Sequence, residues 1–162
     1  MDLEQEFLKA YDSLSDAIFR HCYFRVSDRD KAKDLTQETF TKTWEYIARG
    51  GKVESVKAFL YRVANNLIVD EFRKKKELSL DRLSEMGFEP ASVDHRSIKA
   101  GAEMRELMET AEMLDKDYRD VVLMRHVEGM SVKEIAEIVG ESENLVSVRI
   151  HRGLAKLREL LK

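Results

Sequence analysis

Residues 131–158 read SVKEIAEIVGESENLVSVRIHRGLAKLR, and this segment predicts two short helices joined by a tight turn. Ser131 followed by Glu134 has the pattern of a capping box, which marks the start of a helix. Gly140 suits the left-handed conformation that ends a helix, because glycine has no Cβ. Ala136 and Gly140 have the spacing of a helix-turn-helix, in which a small side chain lets two helices cross closely.

The second of these helices has an apolar side and a positively charged side. The apolar side consists of five residues at helical spacing: Val146, Ile150, Leu154, Leu157 and Leu161. The opposite side carries Arg149, Arg152 and Lys156, with Leu145 and Val148 near its N-terminal end. This stripe is of the kind that enters a DNA major groove. An ordinary helical hairpin with a solvated basic face is the alternative interpretation.

Composition and charge restrict the class of protein. The 162 residues have a net charge of −3, whereas a general nucleic-acid coat would be strongly basic. The charge is uneven, because residues 144–162 are mostly basic and residues 103–120 are mostly acidic. This asymmetry predicts a local DNA contact in a protein that does not bind DNA indiscriminately. Seven Gly and one Pro favour helices over an all-β fold.

The sequence indicates neither a disulfide nor a membrane span. Cys22 is the single cysteine, which excludes an internal disulfide. No signal peptide is evident, and no apolar run approaches the length of about 18 residues that a membrane span needs. We therefore expect a cytoplasmic protein with no direct membrane insertion.

Three helices are predicted in the N-terminal half, at residues 3–25, 28–48 and 56–76. The first has a partly buried or surface His21 and these core residues: Phe7, Tyr11, Leu14, Ile18 and Cys22. The inner face of the second is apolar or small: Ala32, Thr36, Thr39, Phe40, Thr43 and Ile47. Its outer face is polar: Asp34, Gln37, Glu38, Thr41 and Glu45. This outer face is either solvated or receives a basic partner helix, with Trp44 at its edge.

Residues 49–52 (RGGK) break the helical pattern between the second and third helices. The third helix interleaves aromatic and amide residues and ends in four cations, at residues 73–76. Aromatic and amide side chains can take bases while cations take phosphates, so this combination is typical of a single-stranded DNA binder. Part of the cationic end is also explained by the helix dipole, because cations near the C-terminus of a helix interact favourably with it.

The C-terminal half is predicted to follow a linker at residues 77–101 that contains Pro90. Further helices are predicted at residues 103–113 and 118–127, before the helix-turn-helix. The predicted fold class is therefore all-α, with two small helical domains joined by a flexible linker.

The chain resembles an extracytoplasmic-function sigma factor of bacterial RNA polymerase, a group 4 member of the sigma-70 family, over nearly its whole length. Residues 34–40 (DLTQETF) with Trp44 resemble sigma region 2.2. Residues 59–67 (FLYRVANNL) and 70–75 (DEFRKK) resemble regions 2.3 and 2.4. Residues 114–160 resemble region 4. The resemblance implies region 2 at residues 1–78, a linker at 79–102 and region 4 at 103–162.

The same resemblance implies a function and a set of contacts. The chain would bind core RNA polymerase, recognise promoter DNA at a duplex minus-35 and a melted minus-10 element, and be held by an anti-sigma factor. The polymerase contacts would be Asp34, Gln37, Glu38 and Thr41. The minus-10 contacts would be Arg49, Lys52, Ser55, Tyr61, Asn66, Arg73 and Lys74. The minus-35 contacts would be Asn144, Leu145, Val148, Arg149, Arg152 and Lys156.

Three positions depart from the family pattern. Glu141 stands in the turn where the family usually has an apolar residue, and Ser147 stands where a basic residue is common. The loop at residues 48–52 lacks the aromatic residue often found before its Arg-Gly.

Two other classes of protein are alternatives to a sigma factor. A transcriptional regulator could use the helix-turn-helix as a dimer, but it has no need of a basic and aromatic single-strand surface at residues 34–76. An enzyme is disfavoured, because the four His are scattered and neither a Gly-rich phosphate loop nor a Cys/His zinc cluster is present. No catalytic residue, metal, cofactor or small-molecule substrate is therefore predicted.

Overall fold

Helices make up all the regular secondary structure that is described. The computed structural model describes the backbone of residues 2–86 and 99–161 and the side chains of residues 2–80 and 105–161. In these residues the chain forms seven helices: α1 (Leu3–Val26), α2 (Arg29–Ala48), α3 (Val56–Met86), α4 (Lys99–Ala111), α5 (Lys116–His126), α6 (Val132–Val139) and α7 (Glu143–Leu161). They divide between unit 1 (Met1–Pro90) and unit 2 (Ala91–Lys162). The prediction of an all-α fold with two small helical domains is confirmed.

The boundary between α1 and α2 is set by one left-handed residue and one capping residue. Ser27 ends α1 with a φ of 56°, and its N–H donates to the Tyr23 carbonyl. The Asp28 carboxylate then accepts a hydrogen bond from the Lys31 N–H at 3.0 Å. Asp28 is therefore the residue that caps the start of α2.

Unit 1 is a three-helix bundle with a core at the meeting of α1, α2 and α3. Ile18, Leu60 and Ala64 are fully buried there. Thr39 and Thr43 are buried as well, and their hydroxyl groups donate to the backbone carbonyls four residues earlier, at 2.7 and 2.8 Å. Because both hydroxyls have partners, α2 can present threonine to the core without an unsatisfied polar group.

Two side chains of α1 lie elsewhere than predicted. Tyr11 was predicted in the core but is half exposed, and its ring contacts Phe40 edge-on with a centroid distance of 5.0 Å. His21 was predicted to be partly buried or on the surface but is fully buried, and its Nε2 lies 2.6 Å from Oδ1 of Asn65. The hydrogen bond explains the burial of His21, because a hydrogen-bond partner lowers the free-energy cost of burying a polar ring.

The third helix is longer than predicted. It was expected to end at Lys76 but continues to Met86, because no Gly or Pro interrupts residues 57–86. Helix α4 likewise begins at Lys99, before the predicted residue 103. Pro90, with the rest of the linker between these helices, lies outside the described residues.

Unit 2 contains the predicted helix-turn-helix, formed by α6 and α7. Ser131 and Glu134 form the capping box in both directions, and Gly140 ends α6 with a φ of 75°. The Ser142 hydroxyl accepts from the Leu145 N–H at 3.1 Å and so caps α7. The apolar side of α7 packs as predicted at Val146, Ile150 and Leu157, whereas the predicted Leu161 is exposed at the helix end.

Helix α7 approaches α5 closely at Gly153. A Cβ at this position would lie 2.6 Å from Cγ2 of Val122 and 3.4 Å from Cβ of Tyr118. Val122 belongs to a buried cluster with Leu114 and Leu157. Glycine is therefore required here by packing against a neighbouring helix, and not by its backbone conformation.

We expect Gly153→Ala to destabilise unit 2, although alanine has the better helix propensity by about 1 kcal/mol. The added methyl group overpacks the contact with Val122, whose β-branched side chain is stiff, and overpacking costs about 1–3 kcal/mol. The net loss should appear as faster amide hydrogen exchange in α5 and α7. Val122→Ala removes Cγ2, so the double variant should lose less than the sum of the two single losses. Strictly additive losses would contradict this origin of the effect.

Candidate polymerase and nucleic-acid interfaces

One polar strip runs along the outer side of α2. Asp34, Gln37, Glu38 and Thr41 are all exposed and occupy successive turns of one helix face. The opposite side of the helix is committed to the core through Leu35 and Phe40. The Glu38 carboxylate lies 3.8 Å from Nζ of Lys42. The helix period therefore brings the four predicted polymerase contacts together on one surface, which we call the α2 strip.

The loop after α2 folds back over the last turn of that helix. Gly50 has a φ of 86°, and its N–H donates to the Ile47 carbonyl at 3.0 Å. The Gly51 N–H donates to the Tyr46 carbonyl at 2.9 Å. A Cβ at Gly51 would lie 2.4 Å from the Tyr46 ring, so the glycine backbone rests directly on this aromatic side chain. The two glycines thus bring the loop and a tyrosine into contact.

An aromatic pair beside this loop was missed in the sequence analysis. The rings of Tyr46 and Phe59 are stacked, with centroids 4.9 Å apart and an interplanar angle of 26°. Tyr46 is 38% exposed, so part of the pair is accessible from solvent. In the sequence, the indication of an aromatic residue at the loop is the position of Tyr46, three residues before Arg49. The pairing with Phe59, 13 residues further on, depends on tertiary packing.

Five of the seven residues predicted to contact the minus-10 element are exposed. Arg49 and Lys52 are exposed on the loop, and Asn66, Arg73 and Lys74 are exposed on α3. Asn66 and Arg73 are seven residues apart and therefore lie on the same helix face. The guanidinium of Arg73 lies 3.1 Å from the carboxylate of Asp70.

The structure contradicts the predicted role of Tyr61 and gives Ser55 a structural one. Tyr61 is only 2% exposed and its ring contacts His21 edge-on, so it has no surface to offer to DNA. The reason is that α3 packs against both α1 and α2, which buries more of its circumference than packing against one helix would. Ser55 is half-buried and its hydroxyl accepts from the Ala58 N–H at 3.2 Å at the start of α3.

Helix α7 carries the predicted minus-35 contacts on the side away from the core of unit 2. Asn144, Arg152 and Lys156 are exposed, whereas Leu145, Val148 and Arg149 are half-buried at the edge of that side. The guanidinium of Arg149 lies 4.0 Å from the carboxylate of Glu141 in the turn. All six predicted residues therefore line one surface, with apolar side chains toward the N-terminal half and cations beyond them.

Neither a metal cluster nor a membrane helix is found in the described part of the chain. Its side chains include no group of three or more His, Cys, Asp or Glu residues placed to hold a metal ion. Within the same part, no helix is both long and apolar enough to cross a membrane.

Comparison with known proteins identifies both units. The Sigma-70 region 2 family matches residues 10–77, and the Sigma-70, region 4 family matches residues 104–157. The RNA polymerase sigma-E factor of Streptomyces coelicolor is 32% identical over 161 residues, which cover 96% of this chain and 86% of that protein. The ECF RNA polymerase sigma factor SigW of Bacillus subtilis is 27% identical over 169 residues, covering 98% of this chain and 90% of that protein.

A solved structure has the same fold. The sigma factor RpoE of Bartonella quintana, in complex with the anti-sigma factor NepR, aligns with a TM-score of 0.69 and 23% identity, covering 97% of both chains. The two matched regions follow each other in the chain, and the identity of 32% extends over nearly its whole length. Both observations favour a sigma factor over a dimeric regulator. The chain belongs to the sigma-70 family as an extracytoplasmic-function sigma factor, which makes it a transcription initiation factor and not an enzyme.

Proposed function

We propose that this sigma factor binds core RNA polymerase and directs it to specific promoters through two separate DNA contacts. Residues 1–78 serve the polymerase and the melted minus-10 element, and residues 103–162 serve the duplex minus-35 element. The observation that carries the proposal is that three differently built surfaces occupy two separate units. These are the polar α2 strip, the aromatic and glycine loop beside cationic α3, and the cationic side of α7.

The side of α7 away from the core is suited to a DNA major groove. A helix fits this groove, and an arginine fork can bond two acceptors of a guanine at once. Arg149, Arg152 and Lys156 supply the cations, and Asn144 supplies an amide near the helix start. The half-buried Leu145 and Val148 supply apolar contacts for thymine methyl groups.

The loop beside Tyr46 is suited to an unpaired base. A base within a duplex hides its Watson–Crick edge, so reading that edge requires a pocket outside the stack. Tyr46 is partly exposed, so the loop has an aromatic side chain within reach of an unpaired base, and every base has a π-face that an aromatic ring can contact. The side chains that bond phosphates or base edges are exposed residues of the loop and of α3: Arg49, Lys52, Asn66, Arg73 and Lys74.

The α2 strip is suited to a protein partner, because it is polar and exposed on a helix whose other side is buried. We assign it to core RNA polymerase. An anti-sigma factor is a further proposed partner, and the support is that the similar sigma factor RpoE was solved in complex with one. Because core polymerase is cytoplasmic, the chain is proposed to act in the cytoplasm.

Run-off transcription tests this function directly. Sigma-free core polymerase is mixed with the full chain and a pool of genomic promoter fragments, and the 5′ ends of the transcripts are sequenced. We expect start sites that share two upstream sequence elements at a fixed spacing, because two units read two sites. Absence of transcription, combined with tight duplex binding by the chain alone, would contradict the proposed function.

A further inference from the structure

We propose that Glu141 is a specificity-determining residue of this sigma factor, acting by positioning Arg149 toward guanine in the minus-35 element. This inference rests on the proposed role of α7 in duplex DNA recognition. It concerns the one ion pair described between the turn of the helix-turn-helix and α7.

The backbone at Glu141 is fixed on both sides. Gly140 before it is left-handed, with a φ of 75°. The N–H of Glu141 itself donates to the Ala136 carbonyl at 3.2 Å. Ser142 after it caps α7 through the Leu145 N–H at 3.1 Å. The carboxylate therefore projects from a rigid turn and not from a mobile loop.

Arg149 reaches this carboxylate because of the geometry of a helix. Side chains of an α-helix lean toward its N-terminus, so Arg149 extends back over the first turns of α7. Its Nη2 atom lies 4.0 Å from Oε1 of Glu141, and the side chains are 22% and 42% exposed, respectively. Partial burial of the arginine reduces the screening of this pair by salt.

The carboxylate favours one class of DNA contact over another. A guanidinium has five N–H donors, so it can bond two guanine acceptors while it still faces Glu141. A swing toward a phosphate would separate the pair, and it would also bring that phosphate close to a like charge. Glu141 thus raises the cost of non-specific phosphate contact without opposing guanine contact.

The test uses holoenzyme formed from core polymerase and the full chain, with a promoter library randomised across the minus-35 element. Bound sequences are compared for the wild type and Glu141→Gln. We expect the wild type to prefer guanine at one position of the element. In the variant this preference should fall by a factor of at least about five, because a bidentate arginine contact discriminates between bases by about 1–3 kcal/mol. The salt dependence of binding to non-specific duplex should steepen, by up to about 0.9 in slope, as Arg149 gains a phosphate contact.

Two controls separate positioning from general charge. Glu143→Gln removes one charge from an exposed residue beside the same turn, and we expect it to keep the guanine preference. In an Arg149→Gln background, Glu141→Gln should have no further effect on that preference. Equal effects of the Glu141 and Glu143 changes, or an unchanged preference in Glu141→Gln, would overturn the inference and leave the proposed function intact. A wild-type holoenzyme that enriches no sequence would overturn both.

Discussion

The double change Gln37→Ala/Glu38→Lys is expected to abolish promoter-specific transcription while unit 1 stays folded. Both residues are exposed on the α2 strip, and the buried side of α2 is untouched. We expect both to be hot-spot residues, which cost about 2 kcal/mol or more each when they are changed. Since each 1.4 kcal/mol is about tenfold in affinity, binding to core polymerase should weaken about a thousandfold. Run-off transcription and a titration of labelled chain with core polymerase both measure this loss.

A charge reversal on the neighbouring helix provides the matched control. Glu38→Lys places a like charge four residues before Lys42, which costs only about 0.2–0.5 kcal/mol in a helix. Asp16→Lys on α1 creates the same relation to Arg20, and both residues are exposed. We expect this control to transcribe normally. Normal transcription by the Gln37/Glu38 variant as well would show that the α2 strip does not meet the polymerase.

Local chemistry explains what the sequence predicted well. The capping box at Ser131 and the left-handed Gly140 each depend on residues at most four apart, and both are present in the structure. The polar strip of α2 likewise follows from the helix period alone. Such features need no knowledge of neighbouring helices, because the deciding contacts lie within one turn.

Features that depend on packing between helices were missed or predicted wrongly. The period of α3 identified its apolar residues, but it did not show that α3 packs against two helices and so buries Tyr61. The close approach of Gly153 to Val122 and the stacking of Tyr46 on Phe59 also join distant parts of the chain. These contacts decide which predicted site residues are accessible. The residues of unit 1 that could contact DNA were therefore identified only with the structure.

His21→Ala is expected to destabilise unit 1 strongly, because it removes a buried ring together with its hydrogen bond to Asn65. The side chain is fully buried, and its Nε2 donates to Oδ1 of Asn65 at 2.6 Å, since that oxygen can only accept. The ring also contacts Tyr61 edge-on at 5.0 Å. Loss of a large buried side chain costs about 3–5 kcal/mol. This is a large fraction of the stability of a small domain, which is about 5–15 kcal/mol.

Fluorescence of Trp44 follows this loss in unit 1 alone, because it is the single tryptophan of the chain and contacts Phe7 within that unit. We expect the urea midpoint of His21→Ala to fall by more than about 1 M. His21→Gln retains an N–H donor and should recover part of the loss, whereas His126→Ala, at an exposed histidine of α5, should leave the midpoint unchanged. Equal midpoints for the alanine and glutamine variants would show that ring packing, and not the bond to Asn65, joins α1 to α3. A wild-type midpoint in His21→Ala would contradict both.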